Sequence, residues 1–569
     1  MQADAETAAP GDSRSAPPLR LRWALVTALA GGLLLAAAFA PAGIWPLAAV
    51  GPALLALALS GRSLRASFCI GLIFGVAFFF PLLSWVLNVA WYAWAALAGA
   101  EAVIFGVLAI AQRVLLRLRA WPVAVAGWWV AAEALRDRWP WGGFPWGRLA
   151  MSQAGAPTAG WAAIGGAPFL TFAVALVGAM LAWLLLTTVR LISARLVTAR
   201  LAEARLTEAR PAEARPAESR AAKDRRTALV APALALAGSA ALAILPAALP
   251  LDPVSPAGKT AEVAAIQGDV PQQRSLAAQI NDTMVTANHA NATLKLAAQV
   301  KDHTSPKPDL VIWPENSTDI DPSLYPPVYD EIADATDTIG TPLLVGAVLQ
   351  NPLRNAGQLW LPGTGPTQIY VKRRLVPFGE YIPFRSLLQK ITPLTQLQPV
   401  NFTPGHQTVV FNVGQIKLGD VICYEIGFDD LVRSEVNAGA NLLTMQTNDA
   451  TFEWDGQTGE TGQQLDMARI RAVESDRAVI VASTTGYSAI VAPDGQLIEK
   501  TGTWRQATLE AKVPLVTYTT LADRVGPWPE YVIVFLTAAA LVLAALPKRR
   551  TSTESHTSAE SHTSADQGS

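Results

Sequence analysis

Three side chains in the second half of the chain have the types and settings that covalent acyl chemistry uses. Glu315 ends the run Leu310-Val311-Ile312-Trp313-Pro314-Glu315, Lys372 ends Ile369-Tyr370-Val371-Lys372, and Cys423 ends Gly419-Asp420-Val421-Ile422-Cys423. In α/β sheets the ligand crevice lies beyond the carboxyl ends of the strands, so polar groups at three such ends can converge there. A thiol attacks as its thiolate and, with an ordinary pKa of about 8.5, needs a partner to become one. The histidines are His289, His303, His406, His556 and His562. None is a sequence neighbour of Cys423, which leaves a carboxylate as the available base. A lysine beside it can hold the negative charge that develops on a carbonyl oxygen. Taken singly, each residue has a plainer reading: a strand-end Glu or Lys as surface charge, the Cys as a small buried apolar side chain. The constellation is what points to chemistry.

The elements that must position these residues are short β-branched runs at Val263–Ile266, Leu310–Trp313, Leu343–Val348, Ile369–Val371, Leu418–Cys423, Leu442–Met445 and Val479–Ala482, separated by polar helical stretches. That alternation predicts an α/β domain over residues 260–515, large enough for one hydrophobic core without disulfides. Cys69 and Cys423 are the only cysteines and lie far apart, the first inside an apolar run, so neither a disulfide scaffold nor a zinc cluster is available. No metal or organic cofactor is expected.

Composition sets the first half apart. Of 569 residues 51% are hydrophobic and only 16% charged, against about 25% charged in soluble proteins, so the chain is not a single globular body in water. A net charge of −1 gives a nucleic-acid partner no electrostatic support. Apolar runs long enough for about 30 Å of hydrocarbon lie near 23–40, 43–60, 67–89, 92–112, 121–137, 161–189, 229–249 and 530–547. Arg14, Arg20 and Arg22, then Arg62 and Arg65, then Arg113, Arg117 and Arg119, and finally Lys548, Arg549 and Arg550 fall on one side of that alternation, the cytoplasmic one. The organisation expected is a cytoplasmic tail (1–22), six spans within 23–189, a cytoplasmic linker (190–227), a seventh span (228–249), an extracytoplasmic α/β domain (250–529), an eighth span (530–547) and a disordered cytoplasmic tail (548–569). In a competing reading the first span is a signal peptide cleaved at Ala38-Phe39-Ala40, which leaves 250–529 on the same side. The linker is low-complexity, with Arg and Glu recurring every five residues, so its charges spiral around any helix it forms.

Two features of the membrane half also invite function. Glu101 and Glu133 are carboxyls inside spans, where ionisable groups are costly; they are functional candidates or buried, paired structural residues. The outer loop Trp139-Pro140-Trp141-Gly142-Gly143-Phe144-Pro145-Trp146 fits an aromatic belt at headgroup level and would also suit a lipid-head entry site.

Three stretches closely resemble the Glu-Lys-Cys motifs of the nitrilase superfamily: Trp313-Pro314-Glu315-Asn316-Ser317; Tyr370-Val371-Lys372-Arg373-Arg374-Leu375-Val376-Pro377-Phe378-Gly379-Glu380-Tyr381-Ile382-Pro383; and Ile422-Cys423-Tyr424-Glu425. The middle one, in a chain with seven preceding spans and one following, resembles the apolipoprotein N-acyltransferase family. Gln267-Gly268-Asp269-Val270-Pro271-Gln272 and Asn448-Asp449-Ala450 extend the likeness over nearly the whole chain, while Leu276 and Thr451 stand where the family often has tryptophans. The resemblance implies a polytopic α-helical membrane domain carrying an αββα nitrilase-like sandwich, in a bacterial cytoplasmic membrane. It also implies a two-step acyl transfer, from a membrane phospholipid to Cys423 as a thioester, then to the α-amino group of an S-diacylglyceryl-cysteine apolipoprotein. By the same pattern Glu315 is the base, Lys372 steadies the oxyanion, Glu380 balances charge around Lys372, and Tyr424 and Glu425 shape the pocket. A lipid-anchored substrate pair accounts for the membrane embedding.

Two other functions fit parts of the pattern. A membrane-tethered carbon–nitrogen hydrolase would share the thioester and end with water, but needs no more than one span. A transporter or receptor with a ligand-binding outer domain would use Glu101 and Glu133, yet the spans lack paired Gly/Pro-broken helices.

Overall fold

The structure is a computed structural model and describes residues 19–207, 237–242, 244–245, 258–270, 282–318, 320–390, 392, 395–396, 398–454 and 456–546. The first half forms apolar helices: α1 (Leu21–Ala36), α2 (Leu47–Leu59), α3 (Leu64–Leu82), α4 (Trp91–Leu115), α5 (Trp121–Arg136) and α6 (Ala162–Thr207). By length and composition, Leu64–Leu82, Trp91–Leu115, Pro157–Ser193 and Trp528–Ala545 can each cross a membrane. α1, α2 and α5 are shorter, at 16, 13 and 16 residues. With a rise of about 1.5 Å per residue, 16 residues reach about 24 Å, short of the hydrocarbon thickness. α6 is kinked where Gly165 and Gly166 leave helical geometry, just before Pro168. It also runs on past the apolar stretch to Thr207. The rest of the linker, most of the seventh span, Leu276, residues 1–18 of the first tail and the whole of the last tail lie outside the described residues.

The second half is a four-layer sandwich. One sheet has the order β12-β1-β2-β3-β4-β5 and the other β11-β10-β9-β8-β7-β6. In the first are β1 (Thr260–Gln267), β2 (Leu310–Ile312), β3 (Leu343–Leu349), β4 (Arg354–Leu361), β5 (Gly365–Val371) and β12 (Ala507–Pro514); in the second are β6 (Val410–Val413), β7 (Ile416–Ile422), β8 (Leu442–Thr447), β9 (Val479–Ser483), β10 (Ala489–Val491) and β11 (Leu497–Lys500). All seven apolar runs of the sequence are strands. The five that hydropathy alone does not mark, β4, β6, β10, β11 and β12, make antiparallel pairs.

Side-chain alternation along a strand explains the layers. Val263, Leu310, Ile312 and Leu344 meet Leu418, Ile422, Leu442 and Ile480 between the sheets. Ala264, Ile266, Val311, Trp313 and Val345 point outward onto α7 (Asp282–Lys301) and α8 (Pro326–Ile339). The outer face of the second sheet is covered by α9 (Asp429–Asn437) and α10 (Gly459–Ser475), and these share one continuous core with the membrane helices. α10 is therefore buried almost throughout, between the sheet and the membrane half. The last helix, α11 (Trp528–Ala545), packs against α5.

Candidate active site

β1, β2 and β3 run parallel, β4 reverses, and β5 reverses again, so β2 and β5 end at the same edge of their sheet. Lys372 follows β5 directly, and Glu315 comes three residues after β2. The intervening Pro314 and Glu315 run close over β3: a Cβ at Gly346 would lie 2.1 Å from the Pro314 carbonyl oxygen, so only glycine fits there. From the facing sheet, Cys423 follows β7 and has φ of +53°, a left-handed conformation that ends the strand and turns it into the short 3-10 turn Cys423–Gly427. Such strain in a non-glycine residue persists only where the surroundings impose it.

The expected residues meet. Lys372, 1% exposed, donates to Glu315 Oε1 at 2.9 Å and to Glu380 Oε1 at 3.0 Å. Asn355 was not legible in the sequence and makes the same bridge: its Nδ2 donates to Glu315 Oε1 at 2.6 Å and to Glu380 Oε1 at 3.0 Å. It is the second residue of β4, the strand adjacent to both β3 and β5, and a lone Asn in such a strand carries no sequence signal. The backbone N–H of Asn448, in the Asn-Asp-Ala element, donates to Glu315 Oε2 at 3.0 Å.

Glu425 is wholly buried and acts as a clamp. It accepts from the N–H groups of Arg373 and Arg374 at 2.7 and 2.9 Å, from Ile422 N–H at 2.9 Å and from the Tyr370 hydroxyl at 2.8 Å. The residues flanking Lys372 are thereby tied to the residue before Cys423, across the two sheets.

Electrostatics follow from burial. Burial and the adjacent Glu315 push the Cys423 thiol well above its ordinary value, with Lys372 opposing them. Burial raises the Glu315 carboxyl too, Glu380 adds to the rise and Lys372 opposes it. Burial alone would lower the Lys372 ammonium, but Glu315 and Glu380 hold it well above its usual range. The resting site is a neutral thiol beside a strengthened carboxylate base and a fixed cation. That arrangement can pass a proton from sulfur to carboxylate and hold an oxyanion at the ammonium.

Tyr424 joins this site to the membrane half. Its hydroxyl donates to the Gly143 carbonyl at 2.6 Å, and its ring stacks on Trp146 at 5.7 Å. The aromatic loop 139–146 is thus divided: Trp146 is buried beside Tyr424, whereas Trp139 and Trp141 are exposed. Between Trp141, Arg374, Tyr381, Phe402, Tyr424 and Phe428 lies a cavity of about 360 Å³. Arg148, which follows this loop, makes a bidentate pair with Asp429 at 2.7 and 3.0 Å, and Arg471 of α10 reaches the same carboxylate at 2.6 Å.

Glu101 and Glu133 do not join the site. Glu101 pairs with Arg136 at 2.5 Å, and Glu133 accepts from Leu149 N–H at 2.8 Å and the Thr171 hydroxyl at 2.7 Å. Both are satisfied within the membrane half, as structural carboxyls are. Among the described residues no group of His, Cys, Asp and Glu has the arrangement of a metal site.

Residues 31–180 match the family model described as apolipoprotein N-acyltransferase N-terminal domain, and residues 262–523 match that of the carbon-nitrogen hydrolases. An apolipoprotein N-acyltransferase of Mycolicibacterium smegmatis is 36% identical over 92% of this chain and 86% of its own length. One from Vibrio vulnificus is 26% identical over 94% and 98%. Among solved structures, an amidase of the nitrilase superfamily from Nesterenkonia covers 49% of this chain and 98% of its own at 17% identity, with a TM-score of 0.35.

Proposed function

Because the chain belongs to the apolipoprotein N-acyltransferase family, and is thus a membrane acyltransferase of lipoprotein maturation, we propose that Glu315, Lys372 and Cys423 carry its reaction, with a membrane phospholipid as acyl donor. The observation that carries this reading is the buried Lys372 ammonium held between Glu315 and Glu380, beside a thiol at the end of the facing strand β7.

In the first step the Glu315 carboxylate takes the thiol proton of Cys423, and the sulfur attacks the ester carbonyl carbon. The oxyanion forms against Lys372; the carbon–oxygen bond then breaks, and Glu315 returns the proton to the departing glycerol oxygen. The products are a lysophospholipid and a thioester. In the second step the free α-amine of a diacylglyceryl-cysteine attacks the thioester, Glu315 accepts its proton, and the proton passes to the leaving sulfur. An amide and the thiol result. Asn355 and Glu380 position Glu315 and Lys372, Glu425 fixes the distance between the sheets, and Tyr424 aligns the site with the bilayer. The catalytic domain faces away from the cytoplasm, across a bacterial inner membrane; the arginines flanking the early spans support that side.

The test supplies purified protein with acyl-labelled phospholipid and a diacylglyceryl lipopeptide. Label should appear on Cys423, fail to accumulate in Glu315→Ala, and move to the peptide's N-terminus as one fatty acyl amide by mass. Label released only as free fatty acid, with none on the amine, would overturn the assignment in favour of hydrolysis.

A further inference from the structure

A second polar side chain touches the same sulfur, from the helix layer outside the second sheet. Gln464 of α10 is 2% exposed, and its Nε2 lies 3.5 Å from Cys423 Sγ. The amide is held at both ends: the Thr447 hydroxyl donates to Oε1 at 2.8 Å, and Nε2 also donates to Glu460 Oε1. An amide nitrogen has two N–H groups. One is taken by Glu460, and the geometry aims the other at the sulfur. Glu460 is itself 1% exposed; burial and the neighbouring Asp449 push its carboxyl well above its ordinary value, and its Oε1 is the acceptor that fixes the amide.

Lys372 already spends two of its N–H groups on Glu315 and Glu380. Its remaining capacity is needed where the carbonyl oxygen becomes negative, whereas the thiolate that precedes attack is formed on a sulfur only 6% exposed, out of reach of bulk water. We propose that Gln464 is a catalytic hydrogen-bond donor that holds the Cys423 thiolate, with Thr447 and Glu460 as positioning residues that decide which amide atom meets the sulfur. The ionisable groups facing Cys423 are then Glu315 and Lys372 from the first sheet and Glu460 from α10. Glu315 removes the proton, Lys372 receives the oxyanion, and Gln464 stabilises the anion between these events by a charge-assisted N–H···S bond.

This inference rests on Cys423 being the nucleophile and on nothing about the acyl donor or acceptor, so alkylation of the thiol separates it from the lipid chemistry. In full-length protein carrying Cys69→Ala, Cys423 is the single thiol, and its rate of reaction with iodoacetamide is followed from pH 6 to 10. Gln464→Met should displace that profile upward by about one pH unit, read as about tenfold slower alkylation at any pH below its midpoint. Glu460→Leu, which removes the acceptor that orients the amide, should shift the midpoint the same way. Glu460→Gln, which keeps an acceptor oxygen, should stay within about twofold of the parent. A Gln464→Met profile that matches the parent overturns the proposal. Identical profiles for Glu460→Leu and Glu460→Gln also overturn it, and that pair decides alone should Gln464→Met not fold.

Discussion

Replacing Asn355 with leucine tests how the base is poised. The substitution nearly conserves volume and removes the N–H groups that Glu315 and Glu380 accept at 2.6 and 3.0 Å. Asn355 Oδ1 has no partner among the described residues, so none of their donors is stranded by the change. A hydrogen bond to a charged acceptor is worth about 1.5–3 kcal/mol and about 1.4 kcal/mol corresponds to one pH unit, so Glu315, already raised by burial, should rise by a further one to two units. The base must be ionised to take the thiol proton, so the rate falls as pH drops through its pKa. The acid limb of thioester formation should therefore move up by about one to two pH units, while the alkaline plateau changes little. Below the limb the loss is about ten- to hundredfold. Asn355→Asp, which sets a third carboxyl beside the first two, should move the limb further. The assay is acyl-enzyme formation from a fluorescent phospholipid between pH 5 and 10, with thermal unfolding as a control for folding. A limb that stays in place, or a loss that is equal at every pH, would refute the reasoning and reduce Asn355 to a packing residue.

Cys423→Ala should abolish the labelled acyl adduct and lower transfer by at least about a thousandfold without lowering the melting temperature, read by in-gel label and by thermal scan. Asp429→Asn should destabilise the protein by about 1.5–3 kcal/mol, because Arg148 and Arg471 lose their shared carboxylate and keep only Asp137 and Glu133 for the first and Glu474 for the second; denaturation in detergent measures it. His289 packs against Trp313, and burial lowers it from 6.5 to about 4. It is neutral in the fold and must charge in acid, so stability is complete above pH 6.5 and lost as pH falls toward 4, by about 3 kcal/mol in all. His289→Leu should flatten that acid limb of the melting curve, and an unchanged limb would assign it to other groups.

The sequence by itself determined the parts whose signal is local. Hydropathy over a window the width of a bilayer separates the membrane helices from the α/β domain. Short continuous apolar runs locate the strands whose two faces are both buried, since such strands must be apolar throughout. Glu315, Lys372 and Cys423 could be named because unusual residue types end those runs, and Glu380, Tyr424 and Glu425 because they stand in stretches that resemble a family's motifs. Of the five further strands, β6, β11 and β12 are sheet edges with exposed positions, where polar residues are tolerated; β4 and β10 are buried, but β4 interleaves Asn355, Gly357 and Gln358 with its apolar residues and β10 is only three residues long, so the pattern fades there too. Only the tertiary structure decided what each polar group meets. It directs Glu101 and Glu133 to partners in their own half, puts Asn355 between two carboxylates, and brings Gln464 to the sulfur from a helix packed against the membrane bundle. The physical reason is that backbone periodicity is written along the chain, whereas hydrogen-bond partners are chosen across strand order, sheet packing and the docking of two halves, between residues with no common local pattern.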